Sequence, residues 1–361
     1  MAPTWRFQPT PTFILVTSLL FFLVLGTHFR LWSKNEANHG EPNPPASTEV
    51  AGIGIDLTGF YGTAAVSFPN GTVVNIGRVE GSSHYEETIR RLSLHSSTHL
   101  HPPYVKPPEQ FQDLPRRKLR SFRKWLGLPA SGDVGALAAM IRELKVQVED
   151  ALSVPLATLP IVISTPHLIA LYEEDIHDAF EYLNLPFPED IHHRRSWAWV
   201  RDTGAALAGY GHFLCSDYRD YEACDSEIDA MPLASVISIL YTTSAVKVLR
   251  TTVKSAHIVI GFWDDEDQWT LGYASREEEA YWDRLALRLM DWKRKYPGSG
   301  MPDRVVLFGE SATDRTFRSV VEKVFIQEFG SVPQVLGGAD EYVAARGAAE
   351  FARLSVFGIH R

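Results

Sequence analysis

The chain has 361 residues, is 45% hydrophobic and carries a formal net charge of −9. That length exceeds what one compact core usually fills and implies about two lobes. The acid excess, with both signs mixed along the chain, lacks the basic footprint of a nucleic-acid binder, so no nucleic-acid partner is expected.

The first element is apolar. "FILVTSLLFFLVLG", Phe13 to Gly26, follows a short segment carrying Arg6 and runs on into "THFRLW", with His28, Arg30 and Trp32 suited to a headgroup layer. Residues 1–32 are read as an uncleaved signal anchor or a signal peptide cleaved after Gly26. The anchor makes the protein single-pass in the membrane of the secretory pathway. Arg6 and the amino terminus balance Arg30 and Lys34, so the charges leave the side of the membrane open. Residues 33–49, "SKNEANHGEPNPPASTE", have the Pro, Asn and Glu content of a disordered linker.

From Val50 the chain alternates strands and helices. "AGIGIDL", "TAAVSF" and "TVVNIG" predict three antiparallel strands, the last two joined at Asn70-Gly71, a strong hairpin signal. Asn70-Gly71-Thr72 is also a glycosylation sequon, which matters where the domain is luminal. Residues 95–129 are proline-rich and basic and read as an inserted loop with a solvated basic face. "DVGALAAMIRELKVQVEDAL" spaces Val134, Leu137, Ile141, Leu144 and Val148 as an amphipathic helix, with Asp133 as its N-cap.

"LPIVISTP" then predicts a buried strand, and "LIALYEEDIHDAFEYLNLP" a helix closed by Asn184 and Pro186. "SWAWVRDTGAALAGYGHF" predicts a strand, a turn at Asp202, and a small-residue helix able to pack very close to a neighbour. Cys215 and Cys224 lie in a polar acidic stretch. They form a short disulfide loop in an oxidising compartment or two free thiols in a reducing one.

Two β-branched runs in "PLASVISILYTTSAVKVLRTTV" predict a buried hairpin. "HIVIGFWDDEDQWTLGYAS" predicts another, turning at Asp264 to Asp267. "SREEEAYWDRLALRLMDWKRKY" reads as a helix opened by a capping box from Ser275 to Glu278. "RVVLFGESATD", "RTFRSVVEKVFIQEF", "PQVLG" and "DEYVAARGAAEFARL" complete a strand, helix, strand and helix.

This order resembles the actin-like ATPase superfamily, and five segments resemble the ATPase domain of the seventy-kilodalton heat-shock chaperones. "GIGIDLTGFYGTAAV" is similar to their first phosphate loop, and "IVISTPHLIALYEEDIHDAFEYLNL" to a strand and following helix. "RDTGAALAGYG" is similar to their connecting helix, "VVLFGESATDRTFRSVVEKVF" to their adenosine loop, and "GGADEYVAARGAAEFAR" to the helix closing the second lobe. The resemblance implies a two-lobed α/β actin-like (ribonuclease-H-like) fold, with lobe I at 50–205 and lobe II at 206–361. It further implies ATP or ADP with Mg²⁺ in the cleft. Asp56 is then the metal-holding acid, Asp56 and Asp202 are the catalytic candidates, and Thr58, Gly59, Gly309, Ser311 and Asp340 join Asp56 in contacting nucleotide.

The residues depart from that pattern where chemistry would occur. Phe60 stands where the family has a threonine, and "SILYTTSAVKV" has neither the acid nor the glycines of a second phosphate loop. Leu240 takes the acid's place, Thr242, Thr243 and Ser244 the glycines', and Lys247 the place of a second acid. Glycine lets backbone come close to phosphate at positive φ, which β-branched threonine resists. Arg201-Asp202 replaces Glu-Pro, Glu310 replaces glycine in the adenosine loop, and no lysine lies between Gly77 and Leu100.

Plain structural roles exist for several of these residues. Gly309 and Ser311 can make a strand-to-helix turn with an N-cap, and Asp340 can cap the last helix. His167, His177, His192 and His193 lack zinc-ligand spacing, and "GESATD" lacks the second glycine of a nucleophile elbow. The expectation is a membrane-tethered pseudo-ATPase that binds or scaffolds an unidentified protein partner. The rival is a working ATPase or kinase using Asp56 and Asp202 around Mg²⁺.

Overall fold

The computed structural model describes residues 51–186, 199–215, 221–260, 270–338 and 341–355. Glu49–Arg361 forms one compact unit. The apolar segment, the linker, His192, His193, the turn at Asp264 to Asp267 and Asp340 lie outside the described residues. Among the described residues, no helix is long and apolar enough to cross a membrane.

The first sheet begins with β1 (Gly52–Leu57), β2 (Tyr61–Ser67) and β3 (Val73–Glu80), antiparallel in sequence. Every residue of β1 and β2 is buried, which the continuous apolar run of each requires. The β2–β3 connection turns at Gly71, φ 82°, where the Asn70 Oδ1 accepts the Thr72 N–H at 2.9 Å. Asn70 is exposed at that tip.

Helices α1 (Ser83–Leu92), α2 (Pro107–Gln112), α3 (Leu114–Trp125) and α4 (Gly132–Leu152) follow. The basic segment expected as a loop is therefore mostly helical, with Pro107, Pro108 and Pro115 in first turns, where a missing N–H costs nothing. Helix α4 buries all five predicted apolar positions. Its N-cap is Ser131, whose Oγ accepts the Val134 N–H at 3.1 Å; Asp133 sits inside the first turn and pairs with Arg91 instead.

Strand β4 (Ile161–Thr165), helix α5 (Glu173–Tyr182) and strand β5 (Trp199–Arg201) complete the first sheet in the order β3-β2-β1-β4-β5, with β4 and β5 parallel to β1. Helix α6 (Asp202–Gly209) starts directly at Asp202. Cys215 is disulfide-bonded to Cys224, which lies on an unforeseen helix, α7 (Tyr221–Ala230).

The second sheet repeats the plan. β6 (Ala234–Tyr241), β7 (Val246–Ser255) and β8 (Ile258–Ile260) are antiparallel, then α8 (Tyr281–Leu289), α9 (Asp291–Lys295), β9 (Arg304–Phe308), α10 (Arg315–Phe329), β10 (Gln334–Leu336) and α11 (Val343–Ser355) follow. The order β10-β9-β6-β7-β8 is that of the first sheet, read from the other edge. The expected capping box is not formed: Tyr273–Ser275 is a 3₁₀ turn, and α8 starts only after Ala280, φ 54°.

Helices α6 and α11 form the layer between the sheets, in a core that also holds Val162, Val236, Leu240, Val306 and Phe308. They approach where side chains vanish. A Cβ on Gly54 would lie 2.0 Å from the Ala345 carbonyl oxygen, and one on Gly347 would lie 1.8 Å from that of Ala205. The small-residue helix read in the sequence thus packs as tightly as expected.

Candidate functional site

The candidate site lies where the C-terminal ends of β1, β4, β6 and β9 meet the start of α6. Asp56, near the end of β1, is in register with Thr63 on β2 and Ser164 on β4. Its side chain is 2% exposed, and Oδ1 has no hydrogen-bond partner among the described residues. Burial drives its carboxyl from 3.8 to about 7; Ser164 pulls it back, and the charge of Asp202 adds to the rise. The structure therefore brings Asp56 and Asp202 into one electrostatic site. The Asp202 Oδ1 accepts the Thr203 N–H at 2.6 Å, and the Thr203 hydroxyl donates to Ser238 Oγ at 2.7 Å, tying α6 to β6.

A buried guanidinium interacts with Asp202 of this pair. Arg201 is brought down to about 10 by the burial of its guanidinium, with Asp202 opposing the change. Lys247 of the second lobe donates to the His167 carbonyl of the first at 2.6 Å. His167 is pushed down to about 2 by burial, helped by Arg201 and Lys247, and is neutral throughout the physiological range. Lys247 is thus a strut across the lobes at a position where the resemblance implies an acid.

Both hairpin tips use threonine to close themselves. The Thr58 Oγ1 accepts the N–H of Phe60 at 3.2 Å and of Tyr61 at 3.0 Å, and donates to the Tyr61 carbonyl at 2.7 Å. The Thr242 Oγ1 accepts the Ala245 N–H and donates to its carbonyl, each at 3.0 Å. These threonine-closed turns spend the hydroxyls locally. Gly59 is buried in the first turn, and Phe60 and Tyr61 pack on Ala245 of the second, so the two tips touch.

The loop after β9 completes the closure. Gly309 has φ 100°, and a Cβ there would lie 2.5 Å from the Tyr241 carbonyl oxygen, so glycine is required by packing. The buried Ser311 donates its backbone N–H to the Tyr241 carbonyl at 3.1 Å; the N-cap of α10 is Asp314, not Ser311. Glu310 Oε1 accepts the Thr243 N–H at 2.7 Å, an exposed hydrogen bond that places a protein carboxylate on the amide of the second hairpin tip. Tyr61, under the guanidinium of Arg78 at 4.1 Å, lies beside Glu310, and burial and that charge hold its phenol well above the usual range.

A magnesium–triphosphate does not fit these residues in the manner the resemblance implies. The second lobe offers Leu240 in place of an acid, Glu310 holds the Thr243 amide, and the buried Lys247 donates to the His167 carbonyl across the lobes. His177, Asp178 and Glu181 also lie close enough together to hold an ion. There, however, Lys124 donates to both acids and Arg120 to Asp178.

Sequence reasoning singled out Asp56, Phe60, Leu240 and Glu310 but missed the paired threonine turns and the Lys247–His167 strut. The turn signal was present: "LTGFY" and "YTTSA" each place a threonine at the end of a buried run, three or four residues before the return strand.

Two sheets of one strand order enclose a pair of close-packed helices, the two-lobed α/β architecture that the sequence resemblance implies. Solved structures similar to the chain include an inorganic polyphosphate/ATP-glucomannokinase from Arthrobacter sp. strain KM, at 12% identity, TM-score 0.41, covering 84% of this chain and 98% of that one. They also include the ethanolamine utilization protein EutJ from Carboxydothermus hydrogenoformans, at 13%, TM-score 0.42, 86% and 92%. A third is a ROK hexokinase from Thermus thermophilus, at 13%, TM-score 0.37, 85% and 99%. No protein-family profile and no curated protein matches the chain.

Proposed function

We propose that this chain is a membrane-tethered, heat-shock-chaperone-like ATPase domain whose phosphate-loop turns are closed on themselves, and that it binds or scaffolds another protein in the secretory pathway. The observation that carries this reading is the Glu310 carboxylate on the Thr243 amide, with Phe60 and Ala245 in contact beside it. A γ-phosphate would have to displace that carboxylate and would meet like charge in doing so. Removing positioned phosphate donors typically costs orders of magnitude each in rate. The Cys215–Cys224 disulfide supports an oxidising compartment, and the exposed Asn70 sequon is consistent with it.

The rival reading, a working ATPase or kinase, draws on one observation: the orphaned, buried Oδ1 of Asp56, which a hydrated cation would satisfy. Thermal melting with and without millimolar ATP or ADP and Mg²⁺ separates the two, because a ligand bound only by the native state raises the midpoint. No shift is expected from the wild-type chain. A Mg²⁺-dependent rise that disappears in Asp56→Ala would restore the enzyme.

A further inference from the structure

Helix α3 is built inside out. Asp113, Arg116, Arg120 and Lys124, three or four residues apart, line its body-facing side. Asp113 accepts from Arg116, and Arg116, Arg120 and Lys124 meet Glu174, Asp175, Asp178 and Glu181 of α5 in a ladder of ion pairs. Arg120 donates to Asp178 at 2.6 Å and to Asp175 at 2.8 Å, Arg116 pairs with Glu174, and Lys124 donates to Asp178 at 2.9 Å. The opposite side carries Pro115, Lys118, Leu119, Phe122, Trp125 and Leu126. Leu119 is 59% exposed, Phe122 54% and Trp125 78%, and Phe111 of the preceding turn is 74% exposed. A contiguous outward apolar stripe on a folded domain marks an interaction surface.

Its charges indicate the occupant. Lys106, Arg117 and Lys118 are exposed around the stripe. The acids between 101 and 130 are Glu109, which accepts the N–H groups of Val105 and Lys106, and Asp113, which is buried. This face is therefore positive on a chain of net charge −9. Aromatic and leucine side chains beside Lys and Arg are the composition of a helix lying in the headgroup layer of an anionic bilayer. A second copy docked face to face would set Arg117 and Lys118 against themselves, which disfavours self-association through this stripe. A linker spanning 33–49 reaches at most roughly 60 Å, keeping the body within reach of a bilayer holding the apolar segment.

We infer that the α3 face, Leu119, Phe122, Trp125 and Leu126 rimmed by Arg117 and Lys118, docks on an anionic lipid surface. The inference rests on the tethered reading for proximity, and the two can fail separately. In the full chain, Cys215 and Cys224 are bonded, so an environment-sensitive fluorophore can be placed through Leu119→Cys. The labelled protein is mixed with phosphatidylcholine vesicles, with and without phosphatidylserine. The expected result is flotation on both, with a blue shift at position 119 that is larger with phosphatidylserine. The shift should vanish in Phe122→Glu/Trp125→Glu and shrink in Arg117→Gln/Lys118→Gln, while far-UV circular dichroism and melting stay unchanged. A chain that floats while the probe remains in water on both vesicles overturns the docking proposal. So does a blue shift without vesicles that grows with protein concentration, which would make the occupant a second copy. A chain that floats only with phosphatidylserine, and loses this in Phe122→Glu/Trp125→Glu, supports the face and removes the tether.

Discussion

Asp56 shows how burial sets the chemistry of a single carboxylate. Its position at the end of β1, visible in the sequence as an acid closing an apolar run, is that of a metal ligand in the family it resembles. In the fold it is a buried acid whose carboxyl titrates near 7 because burial disfavours the charge. Between about 4 and about 7 the native state therefore holds a proton that the unfolded chain has released, and stability contributed by this residue falls as pH rises. Asp56→Asn keeps the shape and removes the penalty. The variant should match the wild type near pH 4 and exceed it above pH 7 by on the order of 4 kcal/mol, since each tenfold change in proton affinity is worth about 1.4 kcal/mol. Melting curves across this range test it; equal gains at every pH would show that ionisation is not the cause. Glu310 is the opposite case: its crowding was legible, its acceptor role was not, because the Thr243 amide that it caps lies 67 positions away.

Among the elements, those driven by local pattern were legible and those driven by partners were not. Strands β1, β2, β4 and β6 announce themselves as apolar runs, and α4 by its spacing. The basic segment misled because its charges look solvated in sequence, whereas Arg120 is buried between two acids of α5. The helix end at Asp133 misled because Ser131 is the better placed acceptor. Close approach of α11 to β1 makes a sharp prediction. In Gly54→Val the new Cβ would lie 2.0 Å from one backbone atom and 2.2 Å from another, neither able to yield cheaply. The expected cost exceeds about 4 kcal/mol, in the exceptional range for single substitutions. Gly71→Ala, at an open hairpin tip with positive φ, should cost only about 1 kcal/mol. Urea unfolding of the two variants compares them; similar midpoints would contradict the packing described for α11.

For the whole molecule, the repeated sheet order was legible because each half carries its own three strands followed by alternating helices. The contact between the two hairpin tips was not, since it joins Phe60 to Ala245 across the lobes. The proposed placement of the body in an oxidising compartment predicts that Asn70 carries a glycan. Endoglycosidase treatment of the cell-expressed chain should then lower its apparent mass, and Asn70→Gln should already run at the lower mass. A chain unaffected by the enzyme would count against a luminal body.

Actin-like folds with open clefts are jaws, two halves that swing about the helices between them. Here Lys247 bolts one half to the other at His167, Thr203 pins α6 to β6, and Gly347 leaves α11 no clearance from Ala205. Parting the two halves would first break these two hydrogen bonds and open the seam between α6 and α11.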